Sequence, residues 1–129
     1  MLIAMDHGNK QCKLVRSEPF ISGLTESEVR PFGPDVLKYG DKYYQISDQR
    51  IPYRRDKTED DRFFILTLFG IANEIEASSA YAPGIIRVQL AVGLPPAHYG
   101  AQNAKFIQYF SGRGVVSFFY RDKPYSILI

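Results

Sequence analysis

Tryptophan is absent from the 129-residue sequence, and cysteine occurs once, as Cys12. One thiol cannot build a disulfide framework, so a small disulfide-stapled scaffold is excluded and a reducing compartment is expected. An excess of one charge sign is also missing. Sixteen Lys and Arg stand against fourteen Asp and Glu, a net charge of +2. That balance gives no electrostatic push toward nucleic acid or a membrane surface. No apolar stretch approaches the roughly 20 residues of a membrane span. The N-terminal Met1-Leu2-Ile3-Ala4-Met5 is too short for a signal peptide and runs at once into Asp6. Repeats and low-complexity segments are lacking. The expectation is a cytoplasmic chain with neither a membrane nor nucleic acid as a direct partner.

What is present suits one domain over residues 1–129. Apolar residues make up 45% of the chain, and the aromatics are nine Phe and nine Tyr. That is enough for a core.

The pattern of elements predicts an α/β fold. Leu2–Met5 is a short apolar strand, and His7-Gly8-Asn9-Lys10 after it is rich in turn formers. A second strand is predicted over Gln11–Arg16, with Cys12 and Leu14 on one face and Lys13 and Val15 on the other. A third is predicted near Phe20–Leu24, then a loop over Thr25–Asp35 with Pro31, Gly33 and Pro34. Gly40-Asp41 between Val36–Tyr39 and Lys42–Ile46 signals a hairpin. After a basic loop over 50–57, Thr58 is predicted to cap a helix whose first turn carries Glu59, Asp60 and Asp61, matching the positive end of the helix dipole. Phe64, Leu68, Ile71 and Ile75 keep helical spacing, and the helix is predicted to end near Ala77. Ile85–Leu94, nearly continuous in apolar residues, reads as a buried central strand. A helix over Ala101–Phe110 stops at Ser111-Gly112. Val115–Tyr120, a turn over Arg121–Pro124, and Tyr125–Ile129 close the chain. The order implies a mixed sheet with helices packed on it. Ending inside an apolar strand, the chain is expected to be part of a longer protein.

Chemistry concentrates in Asp6-His7-Gly8-Asn9-Lys10-Gln11-Cys12-Lys13. Gly8 lets backbone approach a ligand. Successive N–H groups in such a turn form an anion-binding concavity. Lys13 is placed to neutralise phosphate charge, and Asp6 to hold a hydrated Mg²⁺. From spacing alone, a phosphate cradle and a plain hairpin with solvated ends stand equal.

The run Asp6-x-Gly8-Asn9-x-x-x-Lys13 resembles the first phosphate motif of the actin-like ATPase fold, shared by actin and the sugar kinases. Later stretches resemble ParM-type plasmid-partitioning actins more narrowly. These are the Gly40 hairpin with Tyr43-Tyr44, Asp56-Lys57-Thr58 before the helix, Phe64-Ile65-Leu66-Thr67-Leu68 on it, and Gly93-Leu94-Pro95-Pro96 followed by His98-Tyr99. The resemblance implies backbone phosphate contacts at Gly8, Asn9 and Lys10, a β-phosphate contact from Lys13, and an Asp6 role with metal-bound water. It implies ATP or GTP with Mg²⁺ as cofactor of the full protein, assembly with copies of itself into filaments, and a DNA-binding adaptor protein. Asn9 and Lys10 lack the hydroxyl that the actin turn offers at these places.

A second Asp-x-Gly clamp is missing from the sequence. Asp41 and Asp122 lie in turns without the following glycine pattern. Phosphoryl transfer needs both clamps and a water-positioning residue together, so the isolated chain is expected to be inactive as an ATPase or GTPase. An interaction module without catalysis is the alternative. A binder of single-stranded nucleic acid, using exposed Tyr and Phe with Arg and Lys, ranks third.

Bland readings cover the rest. His7 and His98 read as polar turn residues, and Cys12 as a small buried hydrophobe. Arg50, Arg54, Arg55 and Lys57 around Tyr53 read as a solvated loop. Phe63, Phe64 and Phe118-Phe119-Tyr120 read as core.

Overall fold

The computed structural model describes residues 1–8, 10–50, 60–93 and 101–129, with the side chains of 50 and 101–103 excepted. The readings made on Asn9, on the Arg50, Arg54, Arg55 and Lys57 cluster with Tyr53, on Asp56, Thr58 and Glu59, and on Leu94 to Tyr99 fall outside the described residues.

Alternation of buried and exposed side chains builds the first hairpin. Strand β1 (Leu2–His7) buries Ile3, Met5 and His7 and turns Leu2 and Asp6 outward. It pairs antiparallel with β2 (Gln11–Leu14), which pairs with the two-residue β3 (Phe20–Ile21). The strand predicted over Phe20–Leu24 is broken at Ser22. β4 (Gly23–Ser27) leaves for a second sheet and takes in the first residues of the predicted Thr25–Asp35 loop. The chain crosses to the second sheet at backbone contact, since a Cβ on Gly23 would lie 2.1 Å from the Ser47 carbonyl oxygen.

β5 (Leu37–Tyr39) and β6 (Lys42–Arg50) form the expected hairpin at Gly40, whose φ is +62°. Helix α1 (Arg62–Ala77) buries Phe64, Leu68, Ile71 and Ile75 completely, as the spacing predicts. It is apolar nearly all round because it packs on both sheets. Met5 and Cys12 meet Phe63 and Leu66 on one side. Leu37, Phe118 and Ile127 belong to the larger cluster with Phe64 and Leu68. The acids do not occupy its first turn. The Asp61 side chain makes no capping bond, while Asp60 Oδ1 accepts the Arg62 N–H at 2.9 Å.

The segment predicted as one buried central strand is two short strands, β7 (Ile85–Arg87) and β8 (Gln89–Val92). The Val88 N–H donates to Leu128 O at 2.8 Å, and the Gln89 N–H to Met1 O at 2.7 Å. One residue therefore hands the chain from one sheet to the other. Each strand lies at an edge, and Ile85 is 57% exposed, whereas Val88 at the crossing is buried. Helix α2 (Ala101–Ser111) then leads to β9 (Val115–Tyr120) and β10 (Lys123–Leu128). β10 starts earlier than predicted because Arg121 and Asp122, both at positive φ, make the turn alone. Phe119 is half-exposed on the outer face, while Phe118 and Tyr120 are core.

Among the described residues the fold is α/β: one sheet ordered β3-β2-β1-β8, a second ordered β4-β6-β5-β9-β10-β7, and two helices. Both sheets are mixed, through the parallel pairs β1–β8 and β10–β7. Among the described residues no helix is long and apolar enough to cross a membrane.

Candidate functional site

Antiparallel register fixes the geometry at the first turn. Asp6 sits directly opposite Lys13, and His7 opposite Cys12. Because side chains alternate, Asp6 and Lys13 point to the open face, while His7 and Cys12 point inward. The turn needs glycine, since a Cβ on Gly8 would stand 2.7 Å from the Gln11 carbonyl oxygen. A cleft of about 710 Å³ opens over it, lined by Asp6, Gly8, Lys10 and Lys13. The structure thus brings together every described residue that the sequence singled out. Two lysines and a tight turn give the cleft the means to hold an anion, and the carboxylate of Asp6 is an oxygen donor beside them.

Three residues not singled out from the sequence support the site. Ser22, 2% exposed, donates its hydroxyl to Gly8 O at 2.6 Å and its N–H to Lys10 O at 2.9 Å. The single Ser22 proton is used on Gly8, so the Cys12 thiol is the donor in its 3.4 Å contact with Ser22 Oγ. Asp48, near the end of β6, lines the same cleft. Glu74, fully buried on α1, accepts the Arg16 N–H at 3.0 Å and the Ser17 N–H at 2.8 Å, and so holds the exit of β2 just beyond Lys13. No local sequence signal marks Ser22 or Asp48, because each reaches the turn through pairing between distant strands. Glu74 has one: an acid on a helix otherwise buried.

His7 is a correction. It is a strand residue, 5% exposed, not a polar turn residue. Its Nε2 lies 2.7 Å from Thr67 Oγ1, and Thr67 gives its own proton to Phe63 O at 2.7 Å. Nε2 therefore carries the hydrogen. The ring packs against Phe110 with centroids 5.9 Å apart.

The first turn of α1 is tied to α2. Tyr109 Oη accepts the Phe64 N–H at 3.0 Å and donates to Asp60 O. Burial pushes this phenol up, so it stays protonated and remains a donor. The Arg113 guanidinium lies 3.7 Å from the Phe64 ring centroid and pairs with Asp61 at 2.9 Å.

No family model and no curated protein sequence matches the chain. Solved structures do. The apo pSK41 ParM protein aligns with a TM-score of 0.73 at 15% identity, over 99% of this chain and 46% of that one. The AlfA filament bound to AMPPNP gives 0.71 at 13% identity, over 99% and 51%. The Alp12 filament gives 0.67 at 16%, over 99% and 44%. The chain spans about half the length of these proteins. The resemblance read from the sequence thus extends to the fold, which is shared with the ParM, Alp12 and AlfA structures.

Proposed function

We propose that this chain is the N-terminal phosphate-binding domain of an actin-like, filament-forming nucleotidase of the plasmid-segregation type, working in the cytoplasm. The observation that carries this reading is the cross-strand pairing of Asp6 with Lys13 beside the Gly8 turn, under an open cleft. The backbone of Gly8 and Lys10 receives phosphate oxygens, together with Asn9 as the sequence motif places it. Lys13 neutralises the β-phosphate, and Asp6 holds a hydrated Mg²⁺. The donor set fits that ion. Among the described residues no group of three His, Cys, Asp or Glu could cage a metal, and Mg²⁺ bound with phosphates asks for only one or two carboxylates. The cofactor is ATP or GTP, a reading supported by the AlfA filament bound to AMPPNP.

Copies of the full protein assemble into filaments, as several of the similar structures do, and an adaptor couples them to plasmid DNA. The test is sedimentation of the full-length protein with and without ATP, GTP and Mg²⁺. Nucleotide-dependent pelleting, lost on Lys13→Ala, is expected. Absence of polymer under every nucleotide overturns the filament reading. Unchanged pelleting by Lys13→Ala overturns the assignment of the clamp.

A further inference from the structure

The turn under the phosphate cleft is held by a residue that does not line the cleft. Ser22 is buried between β3 and β4, where the chain leaves the first sheet for the second. Its place is set from the second sheet. A Cβ on the next residue, Gly23, would lie 2.1 Å from the Ser47 carbonyl oxygen and 2.8 Å from that of Gln49. Ser22 is therefore anchored by strands outside the first hairpin.

Two hydrogen bonds run from Ser22 to the turn. Its hydroxyl donates to Gly8 O at 2.6 Å, and its N–H to Lys10 O at 2.9 Å. The Cys12 thiol, fully buried, occupies Ser22 Oγ as a donor at 3.4 Å, which leaves the hydroxyl proton to Gly8. In a tight turn the first carbonyl commonly accepts the N–H three residues on. Here those groups are Gly8 O and the Gln11 N–H, and among the described residues no hydrogen bond joins them. Ser22 has taken the acceptor instead. The Gln11 N–H is thereby released from the turn, and Gln11 lines the cleft beside Gly8 and Lys10. A planar trans peptide points its N–H opposite its C=O. With Lys10 O held by Ser22, the Gln11 N–H of the same peptide is aimed away from Ser22.

We infer that Ser22 is a positioning residue of the phosphate site: its two hydrogen bonds hold back the Gly8 and Lys10 carbonyls, so that the amide groups of the turn stay available to a phosphate. The inference rests on the phosphate reading of the cleft and adds what keeps the cradle open before a ligand arrives. Donors fixed in advance need no rearrangement when the anion binds. Without the Ser22 hydroxyl, Gly8 O is free to accept the Gln11 N–H. The turn then closes as an ordinary hairpin, and carbonyl and phosphate compete for one donor. The nucleoside part of a nucleotide meets no such competition, so the loss falls on the phosphate contacts.

The test compares ATP and GTP with their nucleosides, adenosine and guanosine, by calorimetry on the full-length protein with Mg²⁺. Ser22→Ala is expected to bind the triphosphate roughly tenfold more weakly, with nucleoside affinity and circular dichroism unchanged. Ser22→Thr, which keeps the hydroxyl, restores binding. Ser22→Cys fills the same space with a weaker donor and shows a smaller loss of the same kind, which keeps the comparison should Ser22→Ala not fold. Hydrogen exchange without nucleotide gives a second readout. The Gln11 amide is expected to exchange more slowly in Ser22→Ala and Ser22→Cys than in the wild type, because it gains Gly8 O as acceptor; a merely structural role would speed it. Equal losses for triphosphate and nucleoside, or faster Gln11 exchange, overturn the inference. If Lys13→Ala weakens triphosphate binding and the Ser22 variants do not, the clamp stands and the positioning role falls. If none of these variants changes it, the phosphate reading falls too.

Discussion

Asp6 and Lys13 face each other across the first hairpin, an acid and a base in direct register on the wall of the cleft. The pair is screened by solvent, so it adds little to stability. In the proposed function it places opposite charges at the two ends of a metal-bound phosphate.

Lys13→Ala should leave the fold intact and weaken nucleotide binding. A lost charge-assisted contact costs about 1.5–3 kcal/mol, or roughly 10- to 100-fold in affinity. Titration of the full-length protein with a fluorescent ATP analogue measures it. Affinity within twofold of the wild type would remove Lys13 from the site.

Gly8→Ala should distort the turn itself. The added Cβ meets backbone, the Gln11 carbonyl oxygen at 2.7 Å, and backbone yields less readily than a side chain. Overpacking of this kind costs about 1–3 kcal/mol. Urea unfolding reads the cost directly. An unchanged midpoint would mean that the hairpin accommodates a side chain.

Glu74→Ala should be among the costlier single changes on α1. It leaves the Arg16 and Ser17 N–H groups without their carboxylate, a loss of about 1.5–3 kcal/mol. Hydrogen exchange at these two amides is the direct readout, and faster exchange is expected there first. Retained protection would show that another acceptor holds the exit of β2.

Acid should loosen the second sheet through Glu76. Its carboxyl is held below the ordinary 4.5, first by the Tyr125 hydroxyl and then by Lys123. A carboxyl lowered on folding stabilises at pH above 4.5 and loses that contribution as pH falls through its folded value. Thermal melts from pH 7 down to pH 3 should show a falling midpoint, and Glu76→Gln should flatten the fall. Parallel curves for both proteins would assign the acid sensitivity elsewhere. The size stays modest because the side chain is about one-third exposed.

ATP turnover by the purified 129-residue chain is expected to be undetectable. The sequence holds one Asp-x-Gly run, Asp6-His7-Gly8, and the proposed reaction needs two such clamps in fixed relation. Phosphate release above background would show that the chain completes a site by itself.

Much of this was legible in the sequence because it is local. The spacing of Phe64, Leu68, Ile71 and Ile75 specified α1 and its buried stripe. Gly40-Asp41 specified a hairpin, and the distance from Asp6 to Lys13 placed both at one turn. Each depends on a repeat or turn geometry that neighbouring residues impose on one another. The rest was decided by partners far along the chain. Whether Ile85–Val92 is one strand or two depends on Met1 and Leu128, which accept the hydrogen bonds of Gln89 and Val88. Whether His7 is a turn residue or core depends on Thr67 and Phe110. Asp48 reached the cleft, and Ser22 the backbone of the turn, only through the packing of strands far apart in sequence. Local spacing fixes which way a side chain points along its own element. Only the packing of elements decides what it meets.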